Sequence, residues 1–316
     1  MQSPQPFDRR TLLRRLSFGL LGSALISRKA SAVALDRLVE AHPASAVRRY
    51  HRRLRVHATI LVLGVPIFKR NDVGAGCATV EIGSAGGETI TALQFAAGSD
   101  PARAHGLNRL GLMRELVIEQ NTKVSRSSYS GFMTSSPEKS LDQGKHAIEE
   151  HGNEIPCTLS SGESVDGETN ATLRHFSMPG STGWEEAATI LKNVESAEDP
   201  RAHHDRSPSG PSATFLYAIR RAAIASEPAS HCEFVHNGKV NQLVTRRQGT
   251  ELSGSILDLR GEKLSDFSVW LDPSDPSGIP NRIEFRARSF LRLSFVADPP
   301  VEQAQAEIPW LLEQKG

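Results

Sequence analysis

The chain has 316 residues, 38% hydrophobic and 23% charged, with 37 Lys and Arg against 36 Asp and Glu. That is enough apolar material for one large domain or two small ones, and the near balance of charge gives no basis for broad nucleic-acid or anionic-membrane affinity. Three cysteines, Cys77, Cys157 and Cys232, sit far apart without Cys-x-x-Cys spacing. One disulfide with an odd thiol and three unpaired residues are both open readings.

The first element in chain order is "DRRTLLRRLSFGLLGSALISRKASAVA", residues 8–34. Its apolar run, Leu16 to Ile26, is interrupted by Ser17, Gly19, Gly22 and Ser23. A spanning helix needs about 20 predominantly apolar residues, so this run is too short to cross a bilayer. A basic start, a weak apolar middle and a small-residue end are the features of an export leader. Arg9-Arg10-Thr11-Leu12-Leu13-Arg14 resembles the twin-arginine pattern, in which the Arg pair and the apolar residues at Leu12 and Leu13 are read by the translocase. Asp8 departs from the Ser or Thr usual before the pair, and Leu12 from the Phe often found at its place. Two small-x-small cleavage sites are present, ending at Ala32 and at Ala34, and the second is preferred. Removing residues 1–34 takes away six cations and Asp8, leaving 31 cations against 35 anions, a net charge of −4. The expected location is the periplasm or outside the cell.

Residues 35–49 read as a short helix and a polar stretch. From Arg53 the sequence alternates, with Leu54, Val56, Ala58 and Ile60 on one face and Arg53, Arg55, His57 and Thr59 on the other, which predicts a half-buried strand. It stops at Leu63-Gly64-Val65-Pro66. Strands follow at Ala78–Ile82 and Ile90–Ala96, giving an antiparallel meander. Residues 107–120 fit both periods, and Val117 and Ile118 favour a strand over the second half, paired with Lys123–Tyr129. Ser136, Pro137 and Glu138 signal a helix start that runs to His151. Residues 151–170 and 196–212 are polar, Gly-, Ser- or Pro-rich and read as loosely ordered. Trp184–Val194 and Thr214–Ser226 read as helices. In the last third, Asn237-Gly238 marks a tight hairpin, and strands are predicted at Ser255–Leu259, Phe267–Leu271, Arg282–Arg288 and Leu291–Val296. The predicted class is α+β: a large curved antiparallel sheet with a few packed helices and polar loop insertions, one domain over residues 35–316.

Tyr50 through Leu63-Gly64-Val65-Pro66, His236-Asn237-Gly238-Lys239, Trp270-Leu271-Asp272 and Ile279-Pro280-Asn281-Arg282-Ile283-Glu284-Phe285 carry a resemblance to exported bacterial proteins of unknown function. These are similar in outline to the Lol-type lipoprotein carriers, in which a curved sheet forms an open half-barrel around helices. The resemblance implies an amphiphilic ligand in the concave face and carries over no catalytic residues.

Catalytic motifs give little. Ser136-Pro137-Glu138-Lys139 has Ser-x-x-Lys spacing, but the Ser-Asp-Asn-like and Lys-Thr-Gly partners of penicillin-recognising enzymes are missing, and helix capping explains the same residues. There is no Gly-x-Ser-x-Gly elbow. His203-His204-Asp205 falls in a loose segment; His231, Cys232 and His236 lack a fourth ligand; Asp272 and Asp275 suit a turn better than a calcium loop. No metal site or cofactor is nominated, and the reading leans away from an enzyme. The remaining feature is basic: Arg48, Arg49, Arg52, Arg53 and Arg55 on the first strand, and Arg282, Arg286, Arg288 and Arg292 on the last two. If the sheet joins these strands, Arg53, Arg55, Arg282 and Arg286 form an anion-binding rim for a headgroup. The sequence therefore predicts an exported envelope protein that binds or carries an amphiphile, with an envelope enzyme acting on lipid or glycan, or a scaffold for a membrane protein, as alternatives.

Overall fold

The computed structural model describes residues 48–100, 102–104, 109–134, 154–165, 168–179, 203–207, 213–225, 227–236 and 239–298. Their strands form one antiparallel sheet of 14 strands with β1 (Arg48–Val62) near its middle. From β1 the chain meanders through β2 (Val65–Ala85), β3 (Glu88–Ser99), β4 (Leu110–Gln120), β5 (Lys123–Thr134), β6 (Glu154–Val165) and β7 (Glu168–Pro179) to one edge at β8 (His203–Ser207). After helix α1 (Phe215–Ile224) it restarts at the other edge with β9 (Ala229–His236). It then returns through β10 (Lys239–Gln248), β11 (Glu251–Leu257), β12 (Lys263–Trp270) and β13 (Arg282–Arg288) to β14 (Leu291–Ala297). β14 pairs with β1 over Leu54–Ile60, so the first and last strands meet as the basic pattern required. The sheet is not closed: β8 and β9 are its two edges. Edge β9 is partly covered, because Val235 N–H donates to Ala213 O at 2.9 Å and Thr214 bridges to Val235.

Over the described residues the fold is mostly β, with one helix, which corrects the α+β expectation. The helices read at 136–151 and 184–194 lie outside the described residues, as do residues 35–47. Arg48 and Arg49 open β1 opposite Ile82 and Glu81, with Arg49 and Glu81 paired at 2.7 Å. The strand expected from Ala78 begins at Val65. Residues 110–120 are strand throughout, and their mixed periodicity has a cause. Leu116 and Ile118 are buried on one face and Val117 on the other, so apolar residues occupy consecutive positions.

The stretch 151–170, read as loose, contains β6 and the start of β7, and the stretch 196–212 contains β8. In β6 the buried positions of the first half are Ile155, Cys157 and Leu159, but those of the second half are the small Ser160, Gly162 and Ser164. They resemble a loop in composition, yet a Cβ at Gly162 would lie 2.4 Å from the Tyr129 ring, so the neighbouring strand's aromatic supplies the bulk that β6 lacks. His203–Ser207 is ordered by its ladder to Leu173–Thr169, which needs no apolar side chains.

A ten-residue helix is too short to be stable alone, and α1 is held at both ends by charged side chains of the sheet. Glu115 of β4 accepts from Leu216 N–H at 2.7 Å, Tyr217 N–H at 2.8 Å and the Thr214 hydroxyl at 2.5 Å. Arg247 of β10 donates to Ala222 O and Ala223 O, at 2.9 and 2.5 Å. A carboxyl that accepts from the first amides and a guanidinium that donates to the last carbonyls satisfy groups left unpaired at the two helix ends. These contacts also fix the curvature. β4 and β10 stand eight steps apart in the strand order, about 38 Å on a flat sheet, whereas α1 is about 15 Å long. The sheet must curl around the helix for both ends to be reached. α1 then packs Tyr217 with Leu54, Val56 and Leu93, and its alanines with Phe234, Leu243 and Leu252. The β12–β13 connection is tied over this core by a buried Arg52–Asp275 pair at 2.8 Å and by Arg220, which donates to Ser277 O at 2.9 Å. Among the described residues no helix is long and apolar enough to cross a membrane.

Candidate functional site

The interior that the resemblance assigns to a ligand is taken, against β1–β4 and β9–β12, by α1. A depression of about 460 Å³ lies instead on the opposite, outer face of β10–β14. Antiparallel register explains it. Arg246, Ser253, Ser268, Glu284 and Ser294 are successive partners across β10 to β14 and so share one row on that face. Beside it, Val244, Ser255 and Asp266 form a second row, which Arg286 and Arg292 continue on β13 and β14. Serines on the central strands leave a low floor, and arginines on β10, β13 and β14 stand as walls. Val244 adds apolar lining, whereas the Phe285 side chain turns to the inner face with its partner Phe267.

Acidic groups moderate the positive charge. Glu284 pairs with Arg282 and lies 3.7 Å from Arg292. Burial raises the Asp266 carboxyl, but hydrogen bonds from Ser255 and Lys263, with the charges of Lys263 and Arg286, hold it below the usual carboxylate range. With Arg246, Arg286 and Arg292 against Asp266 and Glu284, the lining keeps one formal positive charge.

No family model matches this sequence. No curated protein matches it either. Among solved structures it is similar to a beta-barrel-like protein of domain of unknown function DUF1849 from Brucella abortus, at 9% identity and a TM-score of 0.41, covering 80% of this chain and 98% of that one.

Of the four arginines expected to form a rim, Arg286 lines the depression. Arg55 and Arg282 share a row on either side of Val296. Arg55 pairs with Asp298 at 2.9 Å, and Arg282 stacks on Trp270 with its guanidinium carbon 4.7 Å from the ring centre. Arg53 lies on β1, away from the lining. Sequence reading missed Arg246 and the serine floor. The signal for them is the alternation Val244/Arg246, Ser253/Ser255 and Asp266/Ser268, which becomes a surface only once the strands are in register.

Other titratable groups, including some not singled out in the sequence, are buried or hydrogen-bonded within the fold. Glu115 is fully buried, and its carboxyl is pushed up to about 7 by that burial against the hydrogen bonds it accepts from the start of α1. Glu119 accepts from the Tyr217 hydroxyl at 2.5 Å; burial, then this neighbour, drives the phenol well above its ordinary range. His236 packs on Phe215, ring centres 5.2 Å apart, and burial lowers it to about 4. The three cysteines are free; burial raises Cys77 and Cys157 to about 11, which argues against reactive thiolates. Asp272 caps Ser274, and Asp275 holds Arg52 and Ser277. The His203-His204-Asp205 backbone sits on β8, and Ser136–Lys139 lies outside the described residues. Among the described residues no cluster of three or more His, Cys, Asp or Glu is arranged to hold a metal.

Proposed function

We propose that residues 1–34 are a twin-arginine-type export leader and that residues 35–316 act as one domain in the periplasm or outside the cell, where the protein binds an amphiphile by its acidic headgroup. The observation that carries this reading is the depression on the outer face, with Arg246, Arg286 and Arg292 around a serine floor. Guanidinium groups and hydroxyls suit phosphate or carboxylate oxygens, and Val244, exposed beside them, suits the first carbons of a chain.

Calorimetry of the full chain with dodecyl phosphate, inorganic phosphate and dodecyl maltoside tests this. Dodecyl phosphate is expected to bind at one site, and R286A/R292A to weaken it about tenfold or more through lost charge-assisted hydrogen bonds. Equal binding of dodecyl maltoside, or no loss in the double variant, refutes the headgroup reading. Export is tested apart from it: a reporter fused to residues 1–34 should leave the cytoplasm and remain inside when Arg9 and Arg10 are both changed to Lys.

A further inference from the structure

The end of the β1–β2 hairpin exposes apolar side chains over consecutive residues. Val62 is 41% exposed, Leu63 99%, Val65 63%, Ile67 63% and Phe68 56%. Pairing of β2 with β3 starts only at Gly74, and β14 leaves β1 after Ile60, with Leu61 N–H still donating to Phe290 O, so beyond Leu61 the hairpin runs on as a two-stranded ribbon. Val62, Val65 and Phe68 lie on one side of it, Leu61 and Pro66 on the other, Ile67 in the bulge and Leu63 at the apex; of these Leu61 alone is buried, at 3% exposed. A protein groove covers one side of such a ribbon; exposed apolar groups on both sides and at the tip suit a medium that surrounds it.

The turn itself is informative. Leu63 and Gly64 both have positive φ, 51° and 83°. Two other two-residue turns in this sheet meet the same demand with Gly86-Gly87 and Asn121-Thr122. Asn or Gly is the ordinary choice at Leu63's position, and leucine is disfavoured there. The chain thus holds a large apolar side chain, almost fully in water, at a position where backbone preference opposes it.

At the base of the tip stands a cationic row. Lys69 pairs with Thr59, Thr59 with Arg292 and Arg292 with Arg286, across β2, β1, β14 and β13. The apex at Leu63 lies four residues beyond Thr59, about 13 Å along an extended strand. A leaflet's headgroup layer is roughly 6–8 Å deep, so with the cations level with the phosphates the apolar tip would reach the first part of the acyl chains.

We infer that the β1–β2 tip is a membrane-docking element, which seats Leu63, Val65, Ile67 and Phe68 in the interface of a bilayer carrying acidic phospholipid while Lys69 and Arg292 face the headgroups. The attraction is local and needs no net positive charge on the chain. Arg292 also lines the depression, so the variants below are placed outside that lining and leave ligand binding there to be read separately.

The test uses the full chain with vesicles of phosphatidylglycerol and phosphatidylcholine (1:1), or phosphatidylcholine alone, read by co-sedimentation and by hydrogen exchange. Vesicles should protect amides within residues 61–70. F68D should lower partitioning about tenfold or more, and K69E should weaken binding to the acidic vesicles about fivefold or more while changing the neutral ones little. L63N separates docking from folding: asparagine suits positive φ, so thermal stability should hold or rise while partitioning falls. Absence of vesicle binding, binding without protection at 61–70, or wild-type partitioning by both F68D and L63N overturns the inference.

Discussion

Replacing Glu115 tests the reading that α1 is held by a buried carboxyl from β4. In Glu115→Ala the N–H groups of Leu216 and Tyr217 and the Thr214 hydroxyl lose their partner in a site where Glu115 is 1% exposed. Each orphaned donor costs about 1–3 kcal/mol, and the void adds to that, so a loss of about 3–5 kcal/mol is expected at pH 5. Glu115→Gln isolates the charge. Burial raises this carboxyl from 4.5 to about 7 in the folded protein, so the folded state binds the proton more tightly than the unfolded one. That contribution is fully present below pH 4.5 and is lost as pH rises through 7. Glutamine does not titrate, so the advantage of wild type over E115Q should shrink by about 3 kcal/mol between pH 5 and pH 8. Urea unfolding of the two proteins at matched pH measures the difference, and other titrating groups cancel in it. A gap that is flat with pH, or that widens towards pH 8, refutes the account, because it would mean that the helix amides outweigh burial and keep the group ionised.

His236 has the opposite sign. Burial lowers it from 6.5 to about 4, so the stability it supports is present above pH 6.5 and is lost as pH falls through 4. The side chain is only partly covered, and H236F should therefore reduce the acid loss between pH 6.5 and 4 by about 1–2 kcal/mol, measured by thermal melts across that range. G162A places a methyl 2.4 Å from the ring of Tyr129, which is 3% exposed and has little room to move. A loss of about 1–3 kcal/mol is expected on chemical unfolding, and wild-type stability would show that β6 does not lie under that ring.

Strands whose order comes from their own side chains were legible. Arg282–Arg288 alternates and is a strand with those bounds. Asn237-Gly238 predicted a two-residue hairpin, and His236 pairs with Lys239 across it. Thr214–Ser226 contains α1. β6 was not legible, because the apolar bulk over Gly162 belongs to Tyr129, 33 positions earlier in the chain. The large antiparallel sheet of the expected class is present, and the balance shifts towards β over the described residues because the sheet's extent depends on pairings such as that of β14 with β1, which helix signals counted one segment at a time do not show.

The same distinction governs the candidate site. Arg246, Ser253, Ser268 and Glu284 come from four strands, and each strand taken alone shows only an ordinary solvent-facing alternation. Shifting one of those ladders by a single residue would turn its outer side chains inward and remove the depression. What pins the register is the other face: Leu252, Phe267 and Val269 must pack with Phe234, Leu243 and the alanines of α1. The core therefore sets the site from behind. α1 in turn is held between Glu115 and Arg247, at opposite sides of the curl. A variant that frees either end of α1 should loosen the arginine walls of the outer face as well as the helix, although it touches none of their residues. Hydrogen exchange of β11–β13 in Glu115→Ala reads that coupling directly: faster exchange there supports it, and unchanged protection would mean that the outer rows are set by the sheet ladders alone.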